Sequence, residues 1–219
     1  MAGNAGVLKH ASNVQGCAFK LEEIFEEAGF PKGLFANLNV NTDKVEQIIE
    51  NEHIFAVTLT GSEPAGRAVA STAGKNLKKT VLELGGADAY IVLEDADLEM
   101  AAKMLTKGRL QNNGQTCIAA KRMIIVDEVY DDFLQLYIEK MENAKMGDPM
   151  NEDNFFGPMA RFDLRDELHE QVQKSIKQGA KLVLGGEIPA GDGAYYPATI
   201  LSDVAPGMEA FDEELFGPV

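Results

Sequence analysis

From Val7 to Leu84 the chain alternates short apolar runs with stretches in which apolar side chains recur every three or four residues. Runs of the first kind suit strands and stretches of the second suit amphipathic helices, so the pattern predicts βαβ units on a mainly parallel sheet. Val7-Leu8 reads as a strand, and Cys17 to Ala28 as a helix with Phe19, Ile24 and Phe25 on its apolar face, ended by Gly29 and Pro31. Leu34 to Val40 reads as a strand, Asp43 to Asn51 as a helix and Phe55 to Leu59 as a strand. After Thr60-Gly61-Ser62 a helix runs to about Gly74, with Ser62 at its N-cap, and Val81 to Leu84 is the last strand of this half.

Behind Gly85-Gly86 the alternation restarts. Strand Ala89 to Leu93, helix Asp97 to Leu110, strand Met123 to Val126 and helix Tyr130 to Met141 are followed by loops at Gly147-Asp148-Pro149 and Gly157-Pro158. A polar helix over Asp163 to Gln178, a short strand over Leu182 to Leu184 and a final strand over Tyr195 to Ile200 complete the pattern. The double glycine is the best boundary, which divides the chain into two α/β pieces, 1–85 and 86–219. Met100, Met104, Met141 and Met146 fall on or beside helical apolar faces, the place of gap-filling core residues.

Composition narrows the function classes. With 45% apolar residues, 25% charged residues and a net charge of −15, the chain looks like an ordinary globular protein with no basic face for a phosphate backbone. Nucleic-acid partners are therefore not expected. Neither is a membrane, since no apolar stretch is long enough to span one. The two cysteines, Cys17 and Cys117, lie far apart, which suits a reducing cytoplasm. His10, His53 and His169 are scattered and form no Cys/His cluster, so no metal is expected.

Two segments carry the candidate chemistry: Val81-Leu82-Glu83-Leu84-Gly85-Gly86 and Asn113-Gly114-Gln115-Thr116-Cys117. The first ends an apolar run in a carboxylate backed by two glycines, and the second presents a lone thiol after a glycine turn, which together suggest a base and a nucleophile. Taken singly, a cysteine is more often a small buried hydrophobe and a glutamate at a strand end a solvated group. Cys17 has no motif around it and reads as core. The paired segments resemble the aldehyde dehydrogenase superfamily, closest to its NAD(P)-dependent branch that oxidises succinate semialdehyde and related short semialdehydes. The resemblance runs through nearly all of the chain. It implies a truncated Rossmann-like cofactor domain over 1–85 and an α/β catalytic domain over 86–219, with Cys117 as covalent nucleophile and Glu83 as general base. The oxyanion would meet the Cys117 main-chain N–H and an asparagine upstream of Met1.

The same resemblance distributes the cofactor contacts. Lys9, in Val7-Leu8-Lys9-His10-Ala11-Ser12, would contact the adenine ribose. Where many NAD-preferring members carry a glutamate this chain has Ser12, so NADP is favoured over NAD, since no carboxylate repels a 2′-phosphate. Gly61, Ser62 and Gly66 would receive the pyrophosphate at a helix N-terminus. The main chain at Leu84 would meet the carboxamide, Glu214 would hold the nicotinamide ribose and Phe216 would pack near the ring. Without the resemblance, Lys9 is a snorkelling surface lysine and Glu213-Glu214 an acidic turn.

Both ends look internal to the family's chain, so the sequence reads as a fragment of a longer protein whose full-length form assembles as a homo-oligomer with a small aldehyde as substrate. Two other readings stand beside it: a folded domain or assembly partner inactive as it stands, and a relative that passes the thioester to coenzyme A. Glu83 speaks against the last, which has less need of a water-activating base.

Overall fold

Apolar spacing and turn residues together set the element boundaries of the computed structural model, which describes residues 3–219. Two units emerge, one ending at Glu83 and the other running from Leu84 to Val219.

In the first unit β1 (Gly6–Leu8) pairs in parallel with β2 (Phe35–Asn37), and α1 (Gln15–Glu27) makes the crossover between them. Burial along α1 corrects the expectation that Cys17 is core: Cys17 is exposed. The inward stripe is Gln15, Ala18, Glu22 and Phe25, spaced three and four apart, so Cys17 and Phe19 stand off that face. Two of those inward groups are polar because they serve the end of β2. Glu22 accepts from the Asn37 N–H at 3.1 Å, and Gln15 accepts from the Asn37 side chain at 3.3 Å. Phe25 stacks on Phe35 with ring centroids 4.9 Å apart.

The second βαβ unit is β3 (Ala56–Thr60), α3 (Glu63–Lys75) and β4 (Lys79–Glu83), again parallel, with Thr60 opposite Glu83. Val57, Leu59 and Leu82 face inward and pack with Ile49 of α2 (Val45–Glu50) and with Val69 and Ala73 of α3. Val81 points the other way and is exposed, as the period of two requires.

The second unit opens with β5 (Ala89–Val92), α4 (Leu98–Leu110) and β6 (Arg122–Ile125), a third parallel pair, followed by α5 (Tyr130–Asn143). Asp97 caps α4 by accepting from the Met100 N–H at 3.0 Å, worth about 1 kcal/mol. Ala102, Leu105 and Leu110 of α4 meet Phe133, Tyr137 and Met141 of α5 in the main core. Met141 is core as expected, whereas Met100 and Met104 are exposed, because α4 turns Ala102, Leu105, Thr106 and Arg109 inward instead.

Next come α6 (Phe162–Lys177), β7 (Lys181–Leu184), β8 (Ile200–Ser202) and α7 (Glu209–Asp212). Here β7 and β8 are antiparallel, with an irregularity between Leu182 and Leu184. The expected strand over Tyr195 to Ile200 is absent but for Ile200. Pro197 has no N–H to give a ladder, and in this segment Tyr196, Ala198 and Thr199 are buried while Tyr195 and Pro197 are half-buried. Its polar groups bond to loops: the Thr199 N–H donates to the Pro218 carbonyl at 2.9 Å, and Thr199 Oγ1 accepts from the Gly186 N–H at 2.9 Å. A second core cluster, including Leu168, Val172, Tyr196, Leu215 and Val219, seats the C-terminal residues against α6.

Candidate active site

The chain leaves α4 through a turn that L-residues enter only under constraint. Asn112, Asn113 and Gly114 succeed one another with φ of 53°, 57° and 72°. Asparagine tolerates the left-handed region better than most residues, yet each such residue costs roughly 1–2 kcal/mol. Side-chain amides hold the turn against that cost. Asn112 Nδ2 donates to the Gln115 carbonyl at 2.9 Å, Asn113 Nδ2 donates to the Pro158 carbonyl at 3.0 Å, and Asn113 Oδ1 accepts from the Gly157 N–H at 2.6 Å. Gln115 Oε1 accepts from the Ala160 N–H at 2.9 Å. A Cβ on Gly114 would stand 2.2 Å from the Gly217 carbonyl oxygen, so the C-terminal segment passes directly beneath the turn. Cys117 stands three residues beyond Gly114, and its thiol is exposed, as a working nucleophile must be.

Arg109 braces the same loop from inside. It is 1% exposed, and its guanidinium donates to the carbonyls of Gly114 at 2.6 Å and Ala120 at 3.5 Å, one on either side of Cys117. Burial draws its pKa down to about 10, which leaves it cationic at neutral pH. Arg109→Met would strand both carbonyls in the interior at about 1–3 kcal/mol each. A loss of roughly 2–4 kcal/mol in urea unfolding is expected, and a loss below about 1 kcal/mol would show that the loop does not depend on this side chain. Arg122 is also committed: its Nε donates to the Ala87 carbonyl at 2.6 Å and its guanidinium lies over the Phe211 ring, 5.1 Å from the centroid.

Leu215 is buried, while Glu214 and Phe216 on either side of it turn away from that core. The Glu214 carboxylate lies against Gly85, where a Cβ would stand 1.8 Å from its Oε2, and it pairs with Lys121. The second unit thus brings together Cys117, Glu214, Phe216 and the Leu84-Gly85-Gly86 turn. A cavity of about 450 Å³ in this unit is lined in part by Arg109, Lys121, Arg122 and Leu215, while neither Cys117 nor Glu214 lines it.

In the first unit the remaining candidates lie just past the C-terminal ends of parallel strands, the usual ligand side of such sheets. Lys9 comes just after β1, with its Nζ donating to the His10 carbonyl at 3.1 Å, and Ser12 is exposed at the start of a 3-10 turn. Gly61 and Ser62 are exposed between β3 and α3, while Gly66 is buried within α3. Ser62 holds the N-cap position, but its hydroxyl makes no capping hydrogen bond. Glu83 is exposed at the end of β4, and its carbonyl accepts from the Gly61 N–H at 3.0 Å, which places the glycine turn and the carboxylate-bearing residue side by side.

Sequence reasoning missed Lys121 and the bracing role of Arg109, for which no local signal exists. The left-handed turn did have one, since Asn-Asn-Gly supplies three of the residues most tolerant of positive φ.

The aldehyde dehydrogenase family model matches residues 1–219. The chain is 54% identical over its whole length to a succinate semialdehyde dehydrogenase, NAD(P)+, of Escherichia coli (strain K12), of which it covers 47%. It is 47% identical to a succinate-semialdehyde dehydrogenase, NADP(+), of Mycobacterium avium (strain 104), covering 46% of that protein. The solved structure of succinic semialdehyde dehydrogenase from Streptococcus pyogenes in complex with NADP+ superposes with a TM-score of 0.96 at 40% identity, over 99% of this chain and 48% of that one. The chain spans about half the length of the curated relatives it matches. With parallel βαβ units, an exposed cysteine on a braced turn and a match along its full length, the chain belongs to the aldehyde dehydrogenase family.

Proposed function

We propose that this chain is part of an NAD(P)-dependent, non-acylating aldehyde dehydrogenase that oxidises succinate semialdehyde or a related short semialdehyde. The observation that carries the reading is the exposed Cys117 thiol on a turn fixed by Asn112, Asn113 and Arg109, with the Glu214 segment packed beneath it. The names of the relatives supply the substrate class.

In this reading the Cys117 sulfur bonds to the aldehyde carbon and makes a thiohemiacetal, whose oxyanion the Cys117 main-chain N–H receives. Bound NADP+ or NAD+ supplies the hydride acceptor. Loss of the hydride leaves a thioester on Cys117, and Glu83 takes a proton from the water that hydrolyses it. Residues present suit the cofactor: the bare Cα of Gly85 leaves room for the Glu214 carboxylate, and the open N-terminus of α3 offers N–H groups that Ser62 does not cap. Lys9 and Ser12 take the adenine ribose and its 2′-phosphate, Gly61, Ser62 and Gly66 the pyrophosphate, the Leu84 main chain the carboxamide, Glu214 the nicotinamide ribose, and Phe216 packs near the ring. NADP is favoured, and no metal is required. No helix among the described residues is long and apolar enough to cross a membrane.

The test monitors NADPH absorbance with succinate semialdehyde, in this chain and in one extended to the length of the relatives. Turnover by the extended chain without coenzyme A supports the reading, while silence from it, or a strict coenzyme A requirement, overturns it. Glu83→Gln in the extended chain is expected to give a burst of about one NADPH per site and then a steady rate lowered by about 10²–10⁴-fold. An unchanged steady rate would remove Glu83 from the deacylation step.

A second reading applies to the 219-residue chain by itself, as a folded unit without turnover. Val81, Ile91 and Ile124 are exposed on strands, and two-stranded sheets leave edges unpaired. Robust turnover by this chain alone would refute it.

A further inference from the structure

Lys121 lies four residues after Cys117, and its side chain is 2% exposed. Its ammonium has three N–H donors, and the structure occupies all three with acceptors from separate segments: the Cys117 carbonyl at 2.8 Å, the Gly86 carbonyl at 2.6 Å and the Glu214 carboxylate. The Phe216 ring centroid lies 5.9 Å from the same nitrogen. A buried ammonium is costly unless its donors are all satisfied, and here they are.

The consequences for Glu214 are specific. One carboxylate oxygen is committed to Lys121, and the other lies over the Cα of Gly85, in space that any side chain at that position would occupy. The Glu214 main chain is fixed as well, since its carbonyl accepts from Gln171 Nε2 at 3.2 Å. A glutamate at the edge of a site ordinarily samples several rotamers, and freezing them on binding weakens affinity.

We propose that Lys121 is a positioning residue: by holding Glu214 and the Cys117 carbonyl on one ammonium, it presets the carboxylate for a ribose diol and fixes it relative to the nucleophile. This rests on the reading of Glu214 as the nicotinamide-ribose ligand. Lys121 touches neither substrate nor cofactor and acts through Glu214. The structure gives Gly85 a matching part, as the gap into which the carboxylate settles.

The test is a double-mutant cycle in the chain extended to the relatives' length, with NADP+ affinity read by titration calorimetry in the absence of aldehyde. Glu214→Gln and Lys121→Met are each expected to weaken NADP+ about 10-fold or more, and the double variant no further than Glu214→Gln alone. Should Lys121→Met fail to fold, Gly85→Ala serves in its place: it leaves the lysine present, displaces only the end of a flexible side chain, and is expected to weaken NADP+ by a similar factor. Losses in the two backgrounds that multiply independently would reduce Lys121 to a structural role and overturn the proposal. So would unchanged affinity in Lys121→Met or Gly85→Ala. If Glu214→Gln leaves affinity unchanged while the parent still makes NADPH, the dehydrogenase reading survives and this proposal falls. If the parent neither binds NADP+ nor makes NADPH, both fall.

Discussion

Cys117→Ala in a chain of the relatives' length is expected to lower aldehyde oxidation by at least about 10³-fold while leaving folding stability within about 0.5 kcal/mol. The two halves of that expectation come from different facts. The thiol is exposed, so its removal creates no cavity and strands no partner. Yet if it forms the covalent adduct, its removal takes away the nucleophile itself, and the other cysteine of these 219 residues, Cys17, carries no motif around it. NADP+ affinity should be retained, which separates lost chemistry from lost binding. Alkylation by iodoacetamide with peptide mapping gives a parallel check: modification of Cys117 alone should abolish turnover, and modification of Cys17 should not. Residual turnover above about one tenth in Cys117→Ala would end the covalent mechanism.

The second large effect is on stability. Gly114→Ala is expected to destabilise the second unit by about 2–5 kcal/mol, the sum of roughly 1–2 kcal/mol for a left-handed alanine and about 1–3 kcal/mol for forcing apart well-packed atoms. The clash cannot be relieved by rotating a side chain, since the nearest atoms are the Gly217 carbonyl and the Pro218 nitrogen of the main chain. For a chain of this size that corresponds to a fall in Tm of about 5–15 °C. Gly74→Ala is the control. Gly74 lies within α3, where a Cβ would meet nothing within 4 Å, so the same exchange should be neutral or stabilising by up to about 1 kcal/mol. Equal effects at the two positions would show that the close approach of the C-terminal segment is not what demands glycine at 114.

How far the sequence discloses this molecule depends on whether a signal is local. The helices could be read because their inward apolar positions recur at helical spacing, as Ala102 and Leu105 of α4 do, and because Asp97 marks a start. Parallel pairing could be inferred from strands separated by helices, as in β3-α3-β4. The misreading of Tyr195 to Ile200 came from treating apolar composition as strand, when Pro197 offers no ladder N–H and Thr199 bonds to Pro218 and Gly186 in loops instead. Cys17 misled because apolar Phe19 and Ile24 suggested an inward face, whereas α1 turns Gln15 and Glu22 inward to serve Asn37. Among the candidate residues, Cys117 and Glu83 stood out by their neighbours in sequence. Lys121 could not, because its partners Gly86 and Glu214 come from distant parts of the chain and only folding brings them to one nitrogen.

The passage of Gly217 beneath Gly114 also bears on the order of events during synthesis. A turn near the middle of the chain rests on residues translated about a hundred codons later, so a nascent polypeptide displays Cys117 long before its loop has a floor. Long-range closures of this kind come late in folding. The loop that carries Cys117 therefore gains its final setting only once the Gly217 segment docks against Gly114, and a nascent chain that stops short of residue 217 carries the thiol on a loop without that support.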